Sequence, residues 1–213
     1  MPELSYVIVA VCAYLVGSIP TGFLAGRAKG VDIRKVGSGN MGATNVFRSV
    51  GKGWGIFVLV VDGLKGFAAC TWMVDLLLHF IAVPPDEELM RIIAGIAAVL
   101  GHNYTCWLKF KGGKGIATSA GVYFALAPHA VEIALATWIV VVAVTRYVSM
   151  ASIAAAIALP AAVWCMSDSL LLKLATTALG IMAIVNHKKN IKRLREGTES
   201  RFGSKSPTPE ATK

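Results

Sequence analysis

AVEIALATWIVVVAVT, residues 130–145, and YVSMASIAAAIALPAAVWCM, residues 147–166, run almost free of charge, with Arg146 between them and Glu132 near one edge. At 16 and 20 residues they approach the ~20 that cross a hydrocarbon core as helix. Lipid offers no water to satisfy backbone N–H and C=O groups, so a helix that satisfies its own is the form such segments take. These two stretches predict an all-α fold, a polytopic transmembrane helix bundle.

Working outward, five more apolar segments complete an expected seven spans: 4–26, 54–81, 89–107, 115–127, 130–145, 147–166 and 169–185. The breaks are Pro84-Pro85-Asp86-Glu87-Glu88, Pro128-His129, Arg146 and Ser167-Asp168. Pro20 and Pro160 lie inside spans, where a proline kinks a bilayer helix without ending it. Composition agrees. Hydrophobic residues make up 55% of the 213 and charged ones only 15%, against roughly a quarter charged in soluble domains. Mean hydropathy is +0.63.

Basic residues orient the bundle. With the N-terminus outside and the C-terminus cytoplasmic, 18 of the 21 Lys and Arg fall on the inner side. Arg91 and Lys173 are outer, and Lys65 sits within the second span. Such a bias predicts orientation. The net charge of +9 then meets anionic headgroups and draws in anionic solutes, so nucleic acid is not an expected partner. Met1-Pro2-Glu3 lacks the basic start of a signal peptide, so the first span is expected to remain as an anchor. Cys12, Cys70, Cys106 and Cys165 stand singly, favouring neither a disulfide framework nor a metal site. One transmembrane domain is expected over residues 1–195, followed by a polar tail, 196–213, expected to be disordered.

Three polar patches, 37–48, 109–115 and 186–195, fall on the inner side. Gly37-Ser38-Gly39-Asn40-Met41-Gly42-Ala43-Thr44-Asn45 has the glycines that let backbone N–H groups converge on an anion. Arg48 follows, with a planar fork suited to phosphate or an oxyanion. Lys111-Gly112-Gly113-Lys114-Gly115 opens a helix, where free N–H groups bind phosphate. It is not a Walker A loop, since Gly115 replaces the Ser or Thr after Lys114. His187 and Asn190, three apart, share a face on a continuing helix. Each patch also has a plain explanation: a flexible inner loop, a membrane-surface hinge, or a helix cap.

The fourth span, 13 residues long, covers only about 20 Å of a ~30 Å core. That shortfall predicts a cytoplasm-facing cleft below the headgroups. Asp62 and Lys65, within span two, are expected to neutralise each other along it. His102 and Asn103 are placed to support the Lys-Gly loop.

Residues 37–45, Gly101-His102-Asn103 with residues 108–115, and His187 with Asn190-Ile191 resemble the three cytoplasmic motifs of a bacterial inner-membrane family. It is the acyl-phosphate-dependent glycerol-3-phosphate acyltransferases, and the resemblance runs from about residue 15 to 202. It implies transfer of an acyl group from acyl phosphate to the 1-hydroxyl of glycerol 3-phosphate, giving 1-acyl-glycerol 3-phosphate (lysophosphatidic acid) and phosphate. It implies catalytic roles for Ser38, Arg48, His187 and Asn190. It implies substrate phosphate binding by Asn45, Gly112, Gly113, Lys114 and Gly115, with no metal and no cofactor. Partners are then the two substrates and membrane lipids, and the protein is expected to act as a monomer.

The residues suit that chemistry. Phosphate is already a good leaving group, so the demands are to hold two repelling anions together and to stabilise a tetrahedral oxyanion. No His has Asp five residues on, because those positions hold Pro84, Trp107, Ala134 and Lys192. Ser38 lacks a G-x-S-x-G elbow, since position 36 is Val36. Direct attack by the glycerol hydroxyl, without an acyl-enzyme, is expected. Its proton goes to His187 or to a substrate phosphate oxygen, and the absence of a carboxylate to orient His187 favours the latter. A transporter of phosphorylated solutes is the alternative, but it calls for mid-membrane charges and repeated, broken helices.

Overall fold

Helix is the regular element throughout the described residues of the structure, a computed structural model that covers 2–80 and 86–203. The Pro84-Pro85 break and residues 204–213 of the tail lie outside the described residues. α1 (Pro2–Ser18) and α2 (Thr21–Ala28) together make one apolar stretch, Glu3–Ala28, interrupted but not ended at Pro20. Proline lacks an N–H and its ring displaces a carbonyl of the preceding turn, leaving acceptors unfilled. Neighbouring segments donate to two carbonyls at the break, one of which, Ile19 O, also accepts from Thr21 N at 3.0 Å. Thr105 Oγ1 donates to Ser18 O at 2.6 Å, and Lys65 Nζ to Ile19 O at 3.1 Å.

α3 (Ala43–Ser49) is short. α4 (Lys52–Cys70) and α5 (Trp72–His79), joined at Thr71, form a second long stretch, and α8 (Pro128–Thr145) and α9 (Val148–Met166) a third and fourth. Pro160 lies inside α9 without ending it. A fifth arises if α10 (Leu170–Asn186) and α11 (Lys188–Arg195), bent by 52° about His187, count as one. Against the seven expected spans, four or five helical stretches among the described residues are thus long and apolar enough to cross a membrane. The remaining two are α6 (Glu87–Asn103) and α7 (Ile116–Leu126), with 17 and 11 residues. They rise about 26 and 16 Å, less than a ~30 Å core. Both are packed inside the bundle, so neighbouring helices rather than lipid set their length. The outer surface is apolar instead: Val140 and Val144 on α8 are 60% and 78% exposed, as suits a lipid-facing helix.

Without a hydrophobic drive between helices in lipid, close approach at small residues supplies the packing. A Cβ on Gly121 of α7 would lie 1.8 Å from Gly63 O of α4, and one on Gly66 would lie 2.2 Å from Thr118 O. α1 and α6 cross as tightly, at Gly17 against Ala98 and Gly101 against Tyr14. These two crossings set where the ends of α6 and α7, and the loop between them, come to lie. Gly121→Val is expected to destabilise the fold by about 2 kcal/mol or more through overpacking. Thermal unfolding in detergent measures it, with Gly53→Ala as a near-neutral control because nothing lies within 4 Å of that site.

Candidate active site

The first patch folds around one buried side chain. Gly37 and Gly39 have φ of 56° and 69°, values that glycine adopts without cost. They turn the loop so that Asn45 Nδ2 donates to Ile33 O, Val36 O and Asn40 O at 3.2, 3.1 and 2.9 Å. Asn45 Oδ1 accepts from Ser38 N at 3.0 Å. Asn45, expected to bind phosphate, therefore spends its amide on the loop and shapes the cradle. Ser38 faces the cavity described below, and its Oγ accepts from Asn40 N at 3.4 Å. α3 then presents Arg48, whose Nε is buried with no hydrogen-bond partner among the described residues.

The second patch is tied to α6. Gly112 N donates to Asn103 O at 2.9 Å and Gly113 N to His102 O at 3.0 Å. Those two N–H groups, expected to meet phosphate, are thus already used, while Lys114 and Gly115 line the cavity. Gly115, with φ 83°, starts α7 and turns the loop into the helix. The support expected from His102 and Asn103 is present in these two bonds.

The third patch is a helix break. α10 ends at Asn186, the chain bends, and Asn190 N bonds His187 O at 2.8 Å in the first turn of α11. Both side chains are buried and both line the cavity. His187 Nδ1 lies 2.8 Å from Ala183 O, so Nδ1 carries the proton and Nε2 is the acceptor. Burial, reinforced by the nearby Lys114 charge, pushes the imidazole down to about 4, so it is neutral at pH 7.

The patches meet. Lys114 Nζ donates to Asn190 Oδ1, and Asn190 Nδ2 donates to Glu199 Oε1 at 2.7 Å. Arg193 Nε donates to Glu199 Oε2 at 2.6 Å, and Arg48 Nη2 to Ser200 O at 3.1 Å. Burial works to raise the Glu199 carboxyl, but the bonds from Arg193 and Asn190 outweigh it and hold it below the ordinary range. Residues 196–203, expected to belong to a disordered tail, instead fold back over the site. Phe202 packs on Phe47 with ring centroids 5.6 Å apart. Gly197, with φ 70°, makes the turn that allows this.

Arg48, Lys114, His187, Asn190, Arg193 and Glu199 all border one cavity of about 930 Å³. Its polar end holds Arg48, Lys114, Arg193 and Glu199, with Asp62 and His102 in the wall. Asp62 pairs with Lys65 at 2.8 Å, as the sequence predicts, and both are buried. The other end is an apolar arm between α7, α8, α9 and α10, lined by Leu135, Trp138, Ala156, Leu159 and Leu179 among others. Sequence reading did not single out Arg193, Glu199 or Ser149. The last has a buried hydroxyl that helps to hold the Glu199 carboxylate in its charged form, and it too faces the cavity.

A cationic mouth opening into a greasy cleft, carried on membrane-crossing helices, defines a membrane protein built to hold an anionic group and a long apolar one together. Comparison with known proteins identifies which. The chain belongs to the glycerol-3-phosphate acyltransferase family, and is thereby an acyltransferase: the family model so described matches residues 7–197. A glycerol-3-phosphate acyltransferase of Geobacter sulfurreducens is 48% identical over 199 residues, covering 93% of this chain and 98% of that protein. One of Desulforudis audaxviator is 46% identical over 203 residues, covering 95% and 98%. Among solved structures, the fold matches PlsY, an integral membrane glycerol 3-phosphate acyltransferase, in its glycerol 3-phosphate form. The TM-score is 0.85 at 38% identity, over 93% of this chain and 96% of that one. The lysophosphatidic acid form matches with a TM-score of 0.82. The protein is therefore a multi-pass membrane protein.

Proposed function

We propose that the protein transfers an acyl group from acyl phosphate to the 1-hydroxyl of glycerol 3-phosphate. The observation that carries this reading is the single cavity that joins three polar patches to an apolar arm. The arm takes the acyl chain, and the cationic mouth takes the phosphoryl groups. Seven crossings, with the N-terminus outside and the mouth opening to the cytoplasm, are the arrangement in a bacterial inner membrane that lets a soluble phosphate ester meet a lipid-borne donor. The strong basic bias supports that orientation.

Lys114, with Gly115, holds the glycerol phosphate, and Asn190 fixes the lysine. Arg48 and Ser38 lie where they can donate to the developing oxyanion. The glycerol hydroxyl attacks the acyl carbon directly, the carbonyl electrons re-form C=O, and the C–O bond to phosphate breaks. The hydroxyl proton passes to a substrate phosphate oxygen. Two observations support this route over an acyl-enzyme or a histidine base. No imidazole bonds Ser38 among the described residues, and His187 is a weak base because its pKa is pushed down to about 4. His187 Nε2 instead accepts a hydrogen bond from the substrate.

Purified protein in detergent is expected to release phosphate only when acyl phosphate and glycerol 3-phosphate are both present. Absence of that joint dependence overturns the reading. His187→Ala is expected to raise KM for glycerol 3-phosphate about tenfold and leave kcat within about threefold. A large fall in kcat with unchanged binding of both substrates makes His187 the base instead.

A further inference from the structure

Asp62 and His102 form an Asp–His pair that no sequence spacing announces, because they come from different helices. Asp62 Oδ1 lies 3.6 Å from His102 Nδ1, with side-chain exposures of 3% and 9%. Asp62 is also the partner of Lys65, whose Nζ donates to Ile19 O as well. The carboxylate is thus held between a lysine and an imidazole, as a buried charge requires. On its other edge the ring meets Gly113. A Cβ built there would fall 2.1 Å from Nε2 and 2.8 Å from Cε1. Gly113 N also donates to His102 O, so this one residue meets the loop through both backbone and ring.

We propose that Asp62 and His102 are positioning residues for residues 112–115: Asp62 holds the His102 ring beneath Gly113, and the ring sets where Lys114 meets glycerol 3-phosphate. This rests on the reading of that loop as the glycerol phosphate site. The geometry assigns Gly113 a steric reason for being glycine, since a methyl group there must either lift the loop or drive the ring away from Asp62. Neither side yields easily. The ring is buried against a carboxylate, and the loop is bonded to the end of α6.

A double-mutant cycle tests it, with steady-state kinetics for both substrates on purified protein. His102→Ala leaves the Asp62–Lys65 pair intact. It is expected to raise KM for glycerol 3-phosphate about tenfold, with KM for acyl phosphate and kcat within about threefold. His102→Gln, which still reaches Asp62, recovers most of that loss. Gly113→Ala alone is expected to show the same selective rise. In His102→Ala/Gly113→Ala the methyl enters the space the ring leaves, so the double variant is no worse than His102→Ala. Additive losses, equal rises in both KM values, or failure of His102→Gln to recover activity each overturn the proposal. Wild-type protein that does not acylate glycerol 3-phosphate overturns the functional reading instead, and the two failures are distinct.

Discussion

Arg48→Ala is expected to lower kcat about 10²–10³-fold while changing either KM by less than about threefold. The reason lies in how the guanidinium is held. α3 carries it to the polar end of the cavity, where one Nη is fixed by the Ser200 carbonyl and Nε is buried with no hydrogen-bond partner among the described residues. A buried donor left unsatisfied costs free energy, about 1–3 kcal/mol, and a group that accepts from it only as charge develops recovers that cost in the transition state. Arg48→Lys is expected to recover little, because an ammonium cannot keep the bond to Ser200 while presenting a second, planar donor. Steady-state kinetics with both substrates varied decides the matter. A rise in KM for glycerol 3-phosphate with kcat intact makes Arg48 a binding group and exchanges its role with that of Lys114.

Lys114→Ala is expected to do the reverse: raise KM for glycerol 3-phosphate about 100-fold, or about 2.8 kcal/mol at ~1.4 kcal/mol per tenfold, with kcat at saturation much less affected. Burial lowers the lysine from its ordinary value to about 8, with Glu199 opposing the fall and Arg193 adding to it. The sign follows directly. At pH 7 the group is below its pKa and carries its charge, and raising the pH through about 8 removes it. In the wild type, kcat/KM for glycerol 3-phosphate should therefore fall above about pH 8, since this ratio reports the free enzyme. The basic limb should vanish in Lys114→Ala and move to higher pH in Lys114→Arg. An unchanged limb in Lys114→Ala assigns the titration to another group and removes Lys114 from phosphate binding.

The candidate site was legible in the sequence as three patches, but not as a set of contacts. Glycine-rich loops announce an unusual backbone, and Ser38, Arg48, Lys114, His187 and Asn190 do line one cavity. Where the loop N–H groups point is a different matter. Asn45, Gly112 and Gly113 carry the right chemistry for phosphate, yet their polar groups are consumed in holding the loops. Local composition cannot separate a donor that serves a ligand from one that serves its own chain. Glu199 was obscured differently. It lies in a Ser- and Gly-containing tail that reads as unstructured, and only the turn at Gly197 and the waiting Arg193 and Asn190 give it a place. Gly197 after a strongly basic helix, with one acid two residues on, was the available signal.

Some properties follow from the chain alone. Long uncharged runs demand lipid, and lipid demands helices, because every backbone polar group must be satisfied within the segment. The siting of 18 cations gives those helices an expected direction, and the spacing of the patches along the chain brings each to a helix end. What only the tertiary structure decided is how helices of unequal length pack. Tight crossings at Gly121 and Gly101 place the short α6 and α7 inside the bundle. They also place Asp62 beside His102 across 40 residues of sequence. Such contacts depend on which surfaces fit at close range, and that is a property of pairs of segments rather than of either one.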